Sequence, residues 1–123
     1  MTIGSLVGVA AGGFLGACAR YGWSAWMNRR FPAVFPHATL FINLSGSFAL
    51  GLLYGADAGE TILLWLGAGF MGAYTTFSTF NAENVQLAQN KKWKTLAVYL
   101  GTSYLLGILL AYAGFEAGAF LFA

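Results

Sequence analysis

Apolar residues run along four long stretches of this chain, and polar clusters interrupt them only briefly. A helix needs about 20 mainly apolar residues to cross a bilayer core. The stretch from about Ile3 to Met27 meets that requirement and stops at "NRRFPAVFP", where Pro32 and Pro36 predict a turn-rich connection. A second runs from about His37 to Tyr54 and ends at the acidic loop "GADAGE". The third starts near Thr61 and continues to about Gln89, long for one straight span, and the fourth follows "NKKWK" from Thr95 to roughly Phe115. The expected spans are therefore 3–27, 37–54, 61–89 and 95–115. Loops this short leave no room for a water-soluble domain. Residues 1–123 read as a single transmembrane four-helix domain of an all-α integral membrane protein.

Polar positions inside these stretches are regularly spaced. Gly4, Gly8, Gly12, Gly16, Arg20, Ser24 and Asn28 recur every fourth residue and form one stripe on the first helix. Small residues at this spacing let two helix backbones approach closely in lipid, where no hydrophobic force drives them together. Arg20 is different, because an arginine inside a span costs a few kcal/mol unless it reaches water or a partner. Either an internal partner or snorkelling to the interface satisfies it. In the second helix Thr39, Asn43 and Ser47 share a face. The Asn43 amide requires another helix or a wet cavity, since lipid meets none of its hydrogen-bonding groups. The fourth helix offers Tyr99, Ser103, Gly107 and Ala111, a stripe that packing alone can explain.

The third stretch carries the strongest signal. Gly67, Gly69 and Gly72 precede "YTTFSTF", a pattern that predicts an interrupted helix. Broken helices at membrane depth are tolerated only where the freed backbone lines a cavity or is buried in protein. Freed carbonyls suit a cation, and the N–H groups opening the next half-helix suit an anion. Thr75 or Thr76 would cap that half-helix. Phe77 and Phe80 then project on one face, beside a polar stripe of Thr76, Thr79 and Glu83. Aromatic ring edges carry the positive part of the ring quadrupole, so two of them beside Ser, Thr and Asn donors can hold a small, hard anion. Glu83 argues for cations or protons instead. The residues themselves indicate a narrow, polar, ion-competent path and leave the sign of the ion open.

Composition agrees with this class. The chain is 59% hydrophobic and 8% charged, too few polar groups to cover a water-soluble core. The net charge of +2 is small and its cations lie in two short loops, which argues against nucleic acid. Cys18 is the only cysteine, excluding an intrachain disulfide and a thiolate metal site. "MTIGSLVGVA" has no basic segment before its apolar run and reads as an uncleaved first span. The loops after the first and third spans hold Arg29, Arg30, Lys91, Lys92 and Lys94, whereas the opposite side holds Asp57 and Glu60. That bias predicts both basic loops in the cytoplasm and the termini outside.

"GGFLGACARY", "TLFINLSGSFALG" and "GFMGAYTTFSTFNAE" closely resemble the signature segments of the Fluc, or CrcB, fluoride channels. The likeness covers essentially the whole chain. It implies an antiparallel dimer in a prokaryotic cell membrane, with two narrow fluoride pathways and a central structural sodium ion. By position, Phe77 and Phe80 resemble the phenylalanines whose ring edges meet fluoride, and Asn43 the amide facing the pathway. Ser78, Thr79, Thr39, Tyr99 and Ser103 resemble hydroxyls near the polar track. The backbone carbonyls of Gly72 and Thr75 would hold the sodium, Arg20 would sit at a wet vestibule, and Glu83 near the far end of the path. The chain departs from the pattern at Gly107 and Ala111, where hydroxyls can continue the track, and at His37, where glycine is common.

The resemblance implies passive export of cytoplasmic fluoride. Chloride gains less than fluoride from a cage of fixed donors, so pathway width and donor placement would select between them. No nucleophile–base pair or nucleotide loop is present, so an enzyme is not expected. One rival is a small multidrug-type, proton-coupled exporter, whose chemistry needs a carboxylate in the first helix, where this chain has Arg20. The other is a non-transporting membrane subunit, which would not need Asn43, a broken helix and Glu83 together. The one-sided loop charges also raise the expectation of pairing with an oppositely oriented homologue, instead of, or as well as, with itself.

Overall fold

The computed structural model describes residues 2–31 and 35–122; Pro32, from the expected turn, lies outside the described residues. Every element within them is helical. Helix α1 spans Ile3–Arg30 and α2 spans His37–Gly55. Helix α3 occupies residues 60–74 and changes character along its length: α-helical over Glu60–Ile62, π-helical over Leu63–Met71, α-helical again over Gly72–Tyr74. Helix α4 spans Phe77–Gln89 and α5 spans Trp93–Leu121. Three of these, α1, α2 and α5, are each long and apolar enough to cross a membrane. The stretch expected as a third span holds α3 and α4 with extended Thr75 and Thr76 between them. The helices also outrun the expected limits: α1 passes Met27, and α5 begins before Thr95 and passes Phe115.

Two helix pairs organise the chain, α1 with α3 and α2 with α5. Glycine permits both. A Cβ on Gly12 would run into the Trp65 carbonyl, and one on Gly16 into the Phe70 carbonyl, so α1 lies directly on the backbone of the π-helical segment. This is the packing role expected for that part of the glycine stripe. Gly4 does not share it, since it faces only its own cap residue Thr2. In the second pair a Cβ on Gly114 would meet the Phe48 carbonyl, and one on Gly118 the Leu52 carbonyl. The seam on α5 therefore leaves the four-residue stripe after Ala111, because such a stripe drifts around a helix of 3.6 residues per turn.

Few side chains are buried within one chain. Tyr99 and Ile42 are the most enclosed, while large apolar residues such as Phe14, Leu105, Ile108 and Phe120 are exposed along the helices. Exposed apolar surface on this scale is what a lipid-facing or partner-facing exterior requires. Helix α4 is the least embedded element and touches mainly the start of α5, where Phe80, Leu87 and Tyr99 form the buried cluster.

Candidate functional site

The interruption at Thr75 and Thr76 is held by side chains. Thr75 follows Tyr74 in extended conformation (φ −76°, ψ 157°), and its hydroxyl donates back to the Met71 carbonyl at 2.9 Å. Thr76 is extended too (φ −143°, ψ 119°), a region that β-branched residues favour. Its Oγ1 accepts the Thr79 N–H at 3.2 Å, capping α4. Asn43 on α2 completes the arrangement: Nδ2 donates to the Thr76 carbonyl at 3.0 Å, and Oδ1 accepts the Thr76 N–H at 2.9 Å. In a continuous helix that N–H would close on the Gly72 carbonyl. A second tie lies two residues along each segment, where Ser45 Oγ and the Tyr74 hydroxyl are 2.9 Å apart.

Two cavities border this point and a third lies farther along α4. The first, about 320 Å³, is lined by Asn43, Ser47, Gly72, Thr75, Thr76 and Phe77 among others. The second, about 220 Å³, is lined by Arg20, Ser24, Thr39, Thr76 and Thr79 with Tyr21 and Ile42. Thr76 borders both, so the two cavities meet at the residue Asn43 holds. The third, about 310 Å³, lies towards the basic end and is lined by Asn28, Phe35, Glu83, Gln86, Asn90 and Lys92, with Pro36 and Leu87. The polar half of the α1 stripe, Arg20 through Asn28, thus opens onto cavities, whereas Gly8, Gly12 and Gly16 pack on α3.

Phe80 is buried, and its ring centroid lies 5.1 Å from Tyr99, 5.9 Å from Tyr104 and 6.2 Å from Phe77. Phe77 is exposed in the single chain and borders the first cavity. The Tyr99 hydroxyl donates to Glu83 Oε1 at 3.1 Å. Gly72 and Thr75 come together on the first cavity, Arg20, Thr39 and Thr79 on the second, and Glu83 on the third. Ser78 and Ser103 border none of the three; Ser78 is exposed on the first turn of α4 and Ser103 is half-buried on α5.

Sequence reasoning named Asn43 but not its partner. A backbone amide 33 positions away leaves no local pattern, and the same holds for Ser45 with Tyr74. The π-helical segment was also unread, although Gly67 and Gly69 mark where it lies against α1 and α2.

Comparison with known proteins adds the lineage. The family described as CrcB-like protein, Camphor Resistance (CrcB), matches residues 7–115. The chain belongs to the CrcB-like family. It is 51% identical over 110 residues to the fluoride-specific ion channel FluC 1 of Geobacillus kaustophilus (strain HTA426), covering 89% of this chain and 94% of the relative. It is 46% identical over 110 residues to FluC 2 of Bacillus thuringiensis subsp. konkukian (strain 97-27), covering 89% and 93%. FluC 1 of Listeria monocytogenes serotype 4b (strain F2365) shares 44% over the same length. As a CrcB-like protein with three long apolar helices, the chain is a multi-pass membrane protein.

Proposed function

We propose that this CrcB-like protein is a fluoride-selective channel that lets cytoplasmic fluoride leave passively, and that it is not an enzyme. The observation that carries the reading is the Asn43–Thr76 clamp, with a cavity on each side that hydroxyl and amide side chains line in part. A small anion needs fixed donors that replace its water, and beside the clamp the first N–H groups of α4, on Phe77 and Ser78, can supply them. Helix α1 contains Arg20 and no carboxylate, which disfavours a proton-coupled drug exporter.

On this reading α3 and α4 together make one crossing, the broken third helix of four. Phe77 and Phe80 offer ring edges to the ion, beside Asn43, Thr39, Ser78, Thr79, Tyr99 and Ser103. Arg20 serves the vestibule and Glu83 the far end. A structural sodium ion fits the break, because Asn43 takes the N–H that would otherwise occupy the Gly72 carbonyl and Thr75 leaves the helical path. The carbonyls of Gly72 and Thr75 are hard, neutral oxygen ligands, and a bound sodium would supply fixed positive charge there. The exposed apolar faces favour an antiparallel dimer embedded in lipid, formed with itself or with a homologue of opposite orientation. The five cations at the end of α1, in the α4–α5 connection and at the start of α5 favour the paired arrangement. Labelling a cysteine placed in the loop after α1, with all five cations kept, checks this; labelling from both sides of the membrane, with the chain expressed alone, points to self-pairing.

The test of function is anion efflux from liposomes loaded with potassium fluoride or potassium chloride, triggered by a potassium ionophore. Rapid fluoride loss with chloride retained is the expected result. No fluoride loss, from the chain alone or co-expressed with an oppositely charged homologue, overturns the channel reading.

A further inference from the structure

Tyr74 is the last residue of α3, and its side chain is buried. Its ring stacks on Phe70, with centroids 5.8 Å apart and planes at 22°, and its hydroxyl lies 2.9 Å from Ser45 Oγ on α2. The serine sets the direction of that bond. Ser45 Oγ already donates its one hydrogen to the Ile42 carbonyl at 3.0 Å, so it accepts from the phenol. Ser45 is therefore satisfied on its own helix, whereas Tyr74 depends on Ser45. Among the described residues the phenol has no other hydrogen-bond partner. Neither residue borders the cavity at the break, so the pair acts only on its wall, from behind.

The wall held in this way is Thr75. Helix α2 meets all three residues of the break: Ser45 takes the Tyr74 hydroxyl, Asn43 the Thr76 backbone, and Gly46 the Thr75 methyl, which a Cβ there would overlap. The Thr75 carbonyl shares a planar trans peptide with the Thr76 N–H, and the two point in opposite directions. Because Asn43 Oδ1 holds that N–H, the carbonyl faces away from Asn43. Asn43 thus fixes the tilt of the peptide plane. Its place along α2 depends on the preceding residue, and that residue is the tied Tyr74. A hard cation binds oxygens only within a narrow range of distances, so a carbonyl free to slide along α2 binds it less well.

We propose that the Tyr74 hydroxyl, through Ser45, is a positioning group for the sodium-holding carbonyls of Gly72 and Thr75. The inference rests on the sodium reading under the proposed function. Gly72 begins the short helical turn that Tyr74 ends, and Thr75 follows directly, so one tie steadies both oxygens. Loss of the hydroxyl leaves the ring on Phe70 and the Asn43 clamp in place, and it frees the end of α3 to shift against α2.

The test is thermal unfolding of the purified protein in detergent against sodium chloride, with ionic strength held by N-methylglucamine chloride. The unfolding temperature of a protein that binds sodium rises once sodium exceeds the dissociation constant. Tyr74→Phe and Ser45→Ala should each move that onset to about fivefold higher sodium, the worth of one hydrogen bond. The double variant should move it no further, since both changes remove the same bond. A lower unfolding temperature with the onset unmoved is what a merely structural role gives; it overturns the inference and leaves the sodium site standing. Should Tyr74→Phe fail to fold, Ser45→Ala decides alone, because it keeps the ring and its hydroxyl. A wild type whose unfolding temperature ignores sodium overturns the sodium reading and the inference together, and fluoride efflux from the same preparation then judges the channel reading separately.

Discussion

Asn43 and Thr76 hold each other by two hydrogen bonds, one in each direction, at 3.0 and 2.9 Å. Asn43 Nδ2 donates to the Thr76 carbonyl while Oδ1 accepts the Thr76 N–H, so both backbone groups at the break are satisfied by one side chain. Asn43→Ala strands them in a water-poor interior, where each unsatisfied group costs about 1–3 kcal/mol. Denaturant or SDS unfolding should show a loss in that range. Asn43→Asp, which keeps the acceptor but sets a carboxylate oxygen against the Thr76 carbonyl, should lose at least as much. Equal, negligible losses in both variants would mean that Thr76 finds other partners.

Phe80 is buried between Tyr99 and Tyr104, and the proposal gives its ring edge to the ion. Phe80→Ile retains apolar bulk but removes the edge. Fluoride efflux should fall by at least about tenfold, equivalent to about 1.4 kcal/mol, in protein that still assembles by size-exclusion chromatography. Unchanged efflux from assembled protein would take the ring out of the mechanism.

Tyr99 is fully enclosed, and its hydroxyl reaches Glu83. Tyr99→Phe keeps the ring in place against Phe35 and Phe80 and removes only that bond. A stability loss of about 0.5–1.5 kcal/mol is expected, together with slower fluoride passage. Full retention of flux would separate the Tyr99–Glu83 pair from the path.

Gly16 and Gly22 make a controlled pair on α1. A Cβ at Gly16 would enter the Phe70 carbonyl, whereas one at Gly22 meets nothing within 4 Å. Gly16→Ala should destabilise by about 1–3 kcal/mol through overpacking, and Gly22→Ala should stay within about 0.5 kcal/mol of the parent. Thermal unfolding in detergent reads both; equal effects would contradict the close approach of α1 to α3.

Lys91 adopts a left-handed conformation (φ 57°) at the turn out of α4, and the Lys92 N–H closes back on the Leu87 carbonyl at 2.8 Å. Glycine is the residue that fits this helix-ending position without strain. Lys91→Gly should raise the unfolding free energy by up to about 1 kcal/mol. A loss instead would show that the lysine side chain contributes more than its backbone costs.

The sequence by itself determined the class and much of the plan. Apolar stretches of membrane length, glycines four apart and a short Gly–Thr–Thr–Phe segment are local patterns, and period and composition are local properties. They place α1, α2 and α5 and the contact of Gly12 and Gly16 with a neighbouring helix, and they single out Asn43, Phe80 and Glu83 as candidates. Pairings between distant residues were decided only in three dimensions. Nothing near Asn43 in the chain indicates Thr76, and nothing near His37 indicates that its ring reaches back to Met27. The same applies to the α5 seam, which settles on Gly114 and Gly118 because two helices meet along a line that a four-residue stripe cannot follow. Hydrogen bonds and backbone contacts are short-ranged and directional, so their partners become definite only when the helices have docked.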